Sequence, residues 1–188
     1  MTHLYFVRHA QPDMSWKEPA TRPLTELGLS DRAAVTDVLS RFAIDAFLSS
    51  PYKRSYDTIE PCAAAFGMEI KTDERLIEQV QGENPVPFRE IQWADFSLCE
   101  PGGEPLGKVQ ARNIAALFDI LRKYRNKSVV IGTHGKALGT ILNFFDPSFK
   151  FAGYDSIRLC MPYILRLDFD GVGLVSHEVL LSVERGYP

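Results

Sequence analysis

The chain has 188 residues, a formal net charge of −3, 45% hydrophobic and 24% charged residues, a composition that fits one globular domain. This charge excludes a broadly basic surface for nucleic acid, so an anionic ligand would need a local cluster of Arg, Lys or His. The three cysteines, Cys62, Cys99 and Cys160, match neither a disulfide framework nor a CxxC metal site. Their wide spacing fits a reducing compartment.

We expect a cytoplasmic protein that binds neither nucleic acid nor membrane. The first residues lack the basic segment and the small-residue cleavage site of a signal peptide. The most apolar stretch, VVIGTHGKALGTILNFF, is interrupted by His134 and Lys136 and is therefore not expected to span a membrane.

Hydrophobic periodicity predicts strands that alternate with helices, with no repeat or linker that would divide the chain. In chain order the predicted elements are a strand at 4–8, a helix at 25–42, a strand at 44–50, a helix at 54–67, an edge strand at 68–72, a helix at 104–124, a strand at 128–134, a helix at 135–145 and a hairpin of strands at 160–170 and 173–181. A segment rich in Pro and Gly, at about 78–103, is predicted to cover one end of the sheet with short helices. The pattern indicates one α/β domain over 1–188, a three-layer sandwich with a mixed, mostly parallel sheet flanked by helices.

Local signals refine the first two predicted helices. Thr25 and Ser30 are both candidate N-caps of the first helix. Its apolar face is predicted from residues at helical spacing, which are Leu29, Ala33, Val38 and Phe42. In the second helix Pro61 predicts a kink or a position in the first turn, and Gly67 is a plausible C-cap.

Polar residues follow three of the predicted strands. Arg8 and His9 end the first strand, Arg54 follows the second at the start of a helix, and His134 with Gly135 ends the strand at 128–134. Ligands of open α/β sheets bind outside the carboxyl ends of the strands. Each residue alone is more often a solvated surface group, but their coincidence at strand ends favours a site.

This set of side chains suits a phosphate group. Arginine presents a planar fork of donors to phosphoryl oxygens, and a helix N-terminus adds free N–H groups. Either histidine could also attack phosphorus, and the residues themselves leave open which of the two would do so.

Six motifs occur in an order that resembles the histidine phosphatase superfamily, whose fold is phosphoglycerate mutase-like. They are VRHA at 7–10, LTELG at 24–28, SSPYKRSYDT at 49–58, RLIEQVQGE at 75–83, GGEPLGKVQAR at 102–112 and VVIGTHG at 129–135. Ala10 departs from the glycine that is commoner in the first motif.

The resemblance implies a role for each matching residue. His9 would be the nucleophile that forms a phosphohistidine, and Glu78 would be the general acid and base. The phosphoryl group would be bound by Arg8, Arg54, His134 and Gly135. Neither a metal nor a cofactor is implied, since the arginines supply the positive charge.

Some assignments have alternatives. Glu83 and Glu104 are further candidates for the acid. Ser15 is a candidate donor to the phosphate, in a segment where relatives often have Asn.

The function expected from the resemblance is metal-independent hydrolysis of a phosphomonoester, with a small phosphorylated metabolite as substrate. Phosphoglycerate mutase-type transfer is the alternative within enzymes, although 188 residues leave little room for the larger insertion of such mutases. A catalytically silent binding module with the same fold is a third interpretation. The apolar C-terminal hairpin offers a surface for a possible homodimer.

Overall fold

The computed structural model describes residues 1–83 and 85–187, and of residues 85–88 it describes the backbone alone. The strands are β1 (Thr2–Arg8), β2 (Ala46–Ser49), β3 (Ile70–Thr72), β4 (Ser128–Thr133), β5 (Cys160–Asp170) and β6 (Gly173–Glu184). The helices are α1 (Glu26–Leu39), α2 (Lys53–Ala65), α3 (Pro85–Ala94), α4 (Leu106–Lys123), α5 (Gly135–Phe145) and α6 (Phe151–Ile157), with a 3₁₀ turn at Glu74–Leu76.

One six-stranded sheet, in the order β3-β2-β4-β1-β5-β6, organises these elements. The strands β3, β2, β4 and β1 are parallel, whereas β5 pairs antiparallel with β1 and β6 pairs antiparallel with β5 at one side of the sheet. The predicted mixed sheet is therefore confirmed. Because the four parallel strands point the same way, the residues that follow them meet at one edge of the sheet.

Helices cover both faces of the sheet, as alternation along β1 requires. Leu4 and Phe6 of β1 lie in a core cluster with side chains of α4 and α5. Tyr5 and Val7 point to the opposite face and pack with α1 and α2. Successive side chains of a strand face opposite sides, so an uninterrupted apolar run marks a strand that is buried on both.

The predicted apolar face of α1 is wrong at Leu29 and Ala33, which are exposed, whereas Val38 and Phe42 are partly buried and pack against the core cluster as predicted. Of the two candidate N-caps, Thr25 is the one that caps the helix. Its hydroxyl accepts from the Gly28 N–H at 3.0 Å. The buried residues of the helix are Gly28, Val35 and Leu39, while Leu29 is 42% exposed. Close packing of Gly28 against the chain after β1 turns this side of the helix inward.

Pro61 lies inside α2, which continues to Ala65. A proline removes the N–H that would bond the carbonyl four residues earlier, here that of Asp57. The Arg32 guanidinium of α1 donates to this carbonyl at 3.3 Å, so the neighbouring helix satisfies the acceptor that Pro61 leaves free. Gly67 follows the helix with φ of +65°, in the role predicted for it.

The segment predicted to cover the sheet contains α3. Residue 84, just before this helix, lies outside the described residues. Trp93 of α3 is buried against Leu106 and Tyr154, which ties the segment to α4 and α6. The helix α6 was not predicted from the sequence. No helix in the described part of the chain is both long enough and apolar enough to cross a membrane.

Gly28→Ala is expected to destabilise the protein. A methyl group there would lie 2.4 Å from the backbone oxygen of Gln11, so backbone must move, at about 1–3 kcal/mol for such overpacking. Helix propensity alone would instead stabilise the alanine variant by about 1 kcal/mol, so the sign of the change separates the two effects. Urea denaturation gives the free energy of unfolding, with Ser30→Ala at an exposed position of α1 as the control. A Gly28→Ala variant as stable as the wild type would contradict the close packing.

Candidate active site

The register between β1 and β4 brings the two predicted histidines together. Arg8 is paired with Thr133, and the His9 N–H donates to the Thr133 carbonyl at 3.2 Å. His134 follows Thr133 directly and is the N-cap residue of α5. The His9 and His134 rings consequently meet edge to face, with 5.3 Å between their centroids.

One nitrogen of the His9 ring is bound to the main chain. The His9 Nδ1 atom lies 2.8 Å from the Ala10 carbonyl oxygen, which can only accept, so Nδ1 carries the proton. The neutral ring then has its lone pair on Nε2. Burial, with Arg54 and Arg8 nearby, holds the pKa of His9 well below its usual value, which keeps the ring neutral.

His134 is fixed by the motif that follows β2. Its Nε2 atom lies 2.8 Å from the Ser50 hydroxyl, whereas its buried Nδ1 has no hydrogen-bond partner among the described residues. Burial and the charge of Arg54 also hold the pKa of His134 well below its usual value. A ring bound at one nitrogen and unpaired at the other has one hydrogen-bonding group left for a ligand.

Thr58, the last residue of the motif SSPYKRSYDT, links α2 to the chain after β1. Its hydroxyl donates to the Arg54 carbonyl at 2.7 Å and accepts from the Ala10 N–H at 2.9 Å. The helix α2 therefore fixes the backbone that immediately follows His9.

Arg8 is almost completely buried, and three of its contacts hold it in place. Nη1 donates to the carbonyls of Ile157 at 2.6 Å and Cys160 at 3.2 Å, and Nη2 donates to the Tyr187 hydroxyl at 3.0 Å. The buried Nε has no partner within the described residues. A Cβ on Gly135 would lie 3.2 Å from the Arg8 guanidinium carbon, so glycine lets α5 begin directly against Arg8.

Arg54 reaches the site from the first turn of α2. Its Nη1 donates to the Pro19 carbonyl at 2.6 Å, and its guanidinium carbon lies 5.1 Å from the centre of the Tyr52 ring. Burial lowers the pKa of Arg54 to about 10, which still leaves the group charged at neutral pH. The Glu78 carboxylate nearby acts against this lowering.

Glu78 is held at the N-terminus of α5. Its Oε2 accepts from the Lys136 N–H at 3.1 Å, and its Oε1 accepts from the Ala137 N–H at 3.1 Å and the Gln79 N–H at 2.9 Å. Arg112 of α4 donates to the Glu78 carbonyl at 3.1 Å and so fixes the backbone too. The carboxylate is placed by main-chain donors that lie 58 and 59 residues further along the chain.

The structure does not bring the other predicted residues to this site. Glu104 forms a two-bond ion pair with Arg112, and Glu83 is exposed. Ser15 is also exposed, and its hydroxyl donates to Asp13 at 2.6 Å within its own turn. Of the three candidate acids, Glu78 is therefore the one beside the histidines.

A cavity of about 500 Å³ opens at this edge of the sheet, with His9, Arg54 and Glu78 in its wall. Arg8 and His134 lie behind this wall. Among the described residues, five cationic side chains line the cavity, namely Arg22, Arg54, Arg89, Lys136 and Arg158, against one carboxylate, that of Glu78. A protein with a net charge of −3 thus has a local excess of positive charge here. No three His, Cys, Asp or Glu side chains in the described ranges are grouped to hold a metal ion.

Several residues of the cavity were not predicted from the sequence. Lys136, Tyr154 and Tyr187 line it, and Tyr187 also binds Arg8. The sequence does contain a signal for Lys136. A lysine in an apolar helix directly after His134 and Gly135 stands where a buried residue is expected, and lysine is rarely buried without a partner. No local pattern points to Tyr187, which reaches the site from beyond the end of β6.

Proteins of known identity are similar to this chain over most of its length. A phosphoserine phosphatase from Hydrogenobacter thermophilus is 27% identical over 150 residues, which cover 71% of this chain and 71% of that protein. A probable phosphoglycerate mutase from Yersinia pestis is 29% identical over 161 residues, covering 76% and 74%.

Solved structures share the fold. Bacillus stearothermophilus YhfR superposes with a TM-score of 0.80 at 23% identity, covering 93% of this chain and 95% of that one. A phosphoserine phosphatase from Entamoeba histolytica, in complex with 3-phosphoglyceric acid, gives 0.78 at 18% identity and covers 98% of both chains. The sequence profile of the histidine phosphatase superfamily (branch 1) matches residues 4–179, and the chain therefore belongs to this superfamily.

Proposed function

We propose that this protein hydrolyses the phosphomonoester of a small metabolite through a phosphohistidine on His9, without a metal ion. The observation that carries the proposal is the tautomer of His9. Its Nδ1 is committed to the Ala10 carbonyl, so Nε2 holds the lone pair, in the wall of a cavity shared with Arg54 and Glu78. A neutral imidazole with its other nitrogen fixed is an oriented nucleophile.

In the first step, the His9 Nε2 lone pair would form a bond to phosphorus while the bond from phosphorus to the leaving oxygen breaks. The protonated Glu78 carboxyl would give its proton to that oxygen, so the product leaves as an alcohol. Glu78 suits this role because main-chain donors of α5 fix it in the wall of the cavity that His9 also lines.

In the second step, water would attack the phosphorus of the phosphohistidine. The ionised Glu78 would take a proton from this water as the bond between nitrogen and phosphorus breaks. Inorganic phosphate leaves, and His9 and Glu78 return to their starting states, as microscopic reversibility requires of one group that acts as acid and then base.

Three groups are suited to bind the phosphoryl oxygens during both steps. Arg54 brings a permanent charge into the cavity, and the buried Arg8 Nε is a donor without a partner among the described residues. The His134 Nδ1 is equally unpaired there, and it would donate when Nε2 accepts from the Ser50 hydroxyl. The charge that spreads over the equatorial oxygens in the transition state is stabilised by such fixed donors in a site with little water. The arginines would supply the charge for which other phosphatases use a metal.

Mutase activity is the second candidate, favoured by the relative that is a probable phosphoglycerate mutase at 29% identity. In that reaction the phosphoryl group of phosphohistidine would pass to a hydroxyl of the bound metabolite instead of to water. The two reactions are separated by comparing the release of inorganic phosphate with the interconversion of 2- and 3-phosphoglycerate.

Replacement of Arg54 by methionine is expected to raise the pKa of His9. In the wild type, burial and two arginines favour the neutral ring, so His9 should stay neutral down to a pH below 6.5 and bind a proton only at lower pH. Loss of one nearby cation makes the protonated ring less unfavourable. NMR titration of the ring carbons gives both pKa values, with Arg122→Met at an exposed position as the control. A wild-type His9 that titrates at or above pH 6.5 would contradict the neutral nucleophile.

Hydrolysis of aryl and alkyl phosphates is expected to continue in excess EDTA and to depend on Glu78 according to the leaving group. With Glu78→Gln, esters of basic alcohols should lose about 100-fold or more in kcat/KM, since general acid catalysis contributes about 10²–10⁴-fold. Esters of acidic phenols, which leave without a proton, should lose much less. Steady-state kcat/KM over a series of leaving groups measures this difference, because kcat/KM reports the first step and not the hydrolysis of the phosphohistidine, in which Glu78 would act as the base.

The matched control is Glu83→Gln, the same substitution at an exposed carboxylate five residues further along the chain. The hydrolysis rate of the Glu83→Gln variant should depend on the leaving group as that of the wild type does. Activity abolished by EDTA would disprove metal independence, and an equal loss for all leaving groups in Glu78→Gln would assign the acid to another residue.

A further inference from the structure

Lys136 is a buried cation that the proposed chemistry does not use. It lies in the first turn of α5, directly after His134 and Gly135, and is 4% exposed. Lys136 is nevertheless among the residues that line the cavity. A buried lysine is costly unless paired, so its presence in the wall calls for an explanation.

A chain of buried amides determines what Lys136 meets inside the protein. The Glu100 carboxylate accepts from the Gln92 amide nitrogen, which turns the Gln92 oxygen toward the Gln79 nitrogen at 3.1 Å. Gln79 also donates to the Glu104 carbonyl at 2.6 Å, so its remaining oxygen faces the Lys136 ammonium and accepts from it. Because a carboxylate accepts, both amides have one orientation, and the chain ends in an acceptor at Lys136.

The Gln79 oxygen uses one of the three donors of the ammonium. No second hydrogen bond of Lys136 Nζ is formed with the described residues, although its charge lies near Glu78 and Glu100, which oppose the lowering of its pKa by burial. Gln79 is neutral, so the charge of Lys136 is not balanced by direct contact with an acid. The amide chain therefore holds an ammonium with free donors at the cavity wall.

We propose that Lys136 binds a second anionic group of the substrate, separate from the phosphoryl group that Arg8, Arg54 and His134 would bind. The inference rests on the proposed function and adds a substrate class to it, a phosphomonoester with a carboxylate or a second phosphate. Arg89 and Arg158 line the same cavity and add positive charge around such a group. The cavity volume of about 500 Å³ is many times the roughly 30 Å³ that one water molecule takes. The cavity therefore has room for a metabolite larger than a phosphate ion.

The test compares pairs of esters that differ in the second group. For the carboxylate, 3-phosphoglycerate is compared with glycerol 3-phosphate, in which a hydroxymethyl group replaces the carboxylate. For the phosphate, fructose 1,6-bisphosphate is compared with fructose 6-phosphate. The readout is the ratio of kcat/KM within each pair, which cancels effects on the shared phosphoryl site.

The wild type should prefer the doubly anionic member of one pair by about tenfold or more, the size of one charge-assisted hydrogen bond. Lys136→Met should bring that ratio close to one, while Lys136→Arg should retain part of it. The pair that shows the effect identifies the anion as carboxylate or phosphate. Lys123→Met, at an exposed lysine near the end of α4, should keep the wild-type ratio.

Two results would overturn the proposal: wild-type ratios near one for both pairs, or an unchanged preference in Lys136→Met. A purely structural lysine would lower the thermal unfolding temperature of Lys136→Met without changing the ratio. If Lys136→Met does not fold, Lys136→Gln, which keeps a polar group beside Gln79, replaces it.

Failure of the proposed hydrolysis is distinguishable from failure of this inference. Calorimetry with His9→Ala, which leaves Lys136 intact, measures the affinity for both members of each pair without turnover. A tighter affinity for the doubly anionic member that depends on Lys136 would support the second site even for a chain that hydrolyses none of these esters. Equal affinities would reject it.

Discussion

The register of β1 against β4 is the constraint on which the site depends. Arg8 stands opposite Thr133, so His9 and His134 emerge next to each other at the carboxyl edge of the sheet. A shift by one residue would send every side chain of β1 to the other face and break both core clusters. Apolar burial on both faces therefore fixes the position of the two histidines, and the core determines the geometry of the chemistry.

The same edge has to accommodate buried positive charge. Arg8 and Arg54 are both almost fully buried, and main-chain carbonyls accept from each of them. These carbonyls come from the junction of α6 with β5 and from the loop before α1. Burial, and after it the charge of these cations, holds the pKa of His9 and of His134 well below the usual value, which keeps the imidazoles neutral. In the proposed mechanism, the same buried arginines would bind the phosphoryl group and keep the nucleophile neutral.

Much of the fold follows from the sequence because local and global signals agree. The apolar runs of β1 and β4 and the periodicity of α4 and α5 are unambiguous, and the residues that follow the parallel strands necessarily meet at one edge. The face of α1 was mispredicted in its first turns, at Leu29 and Ala33, because Gly28 is buried there by contact with the Gln11 backbone, which hydrophobicity does not report. The helix α6 is short and weakly patterned, so no periodic signal marks it.

The site residues differ in how far sequence could identify them. Arg8, His9 and His134 stand out because polar groups interrupt apolar runs. Glu78 is one carboxylate among several, and what distinguishes it is contact with α5, far along the chain. Lys136 interrupts an apolar helix. This interruption argues against a membrane span, and by itself it does not indicate a ligand. Tyr187 has no local signal, since tertiary packing alone places it on Arg8.

Direct detection of the covalent intermediate tests the central claim, which is that His9 Nε2 is the nucleophile. A reaction with a fast-leaving aryl phosphate is quenched in alkali within the first turnovers, and the peptides are mapped by mass spectrometry and by ³¹P NMR. The account predicts one phosphoryl group, on Nε2 of His9, that appears with the first turnover and decays as inorganic phosphate is released. A phosphoryl group on His134, or turnover with none on His9, would contradict it.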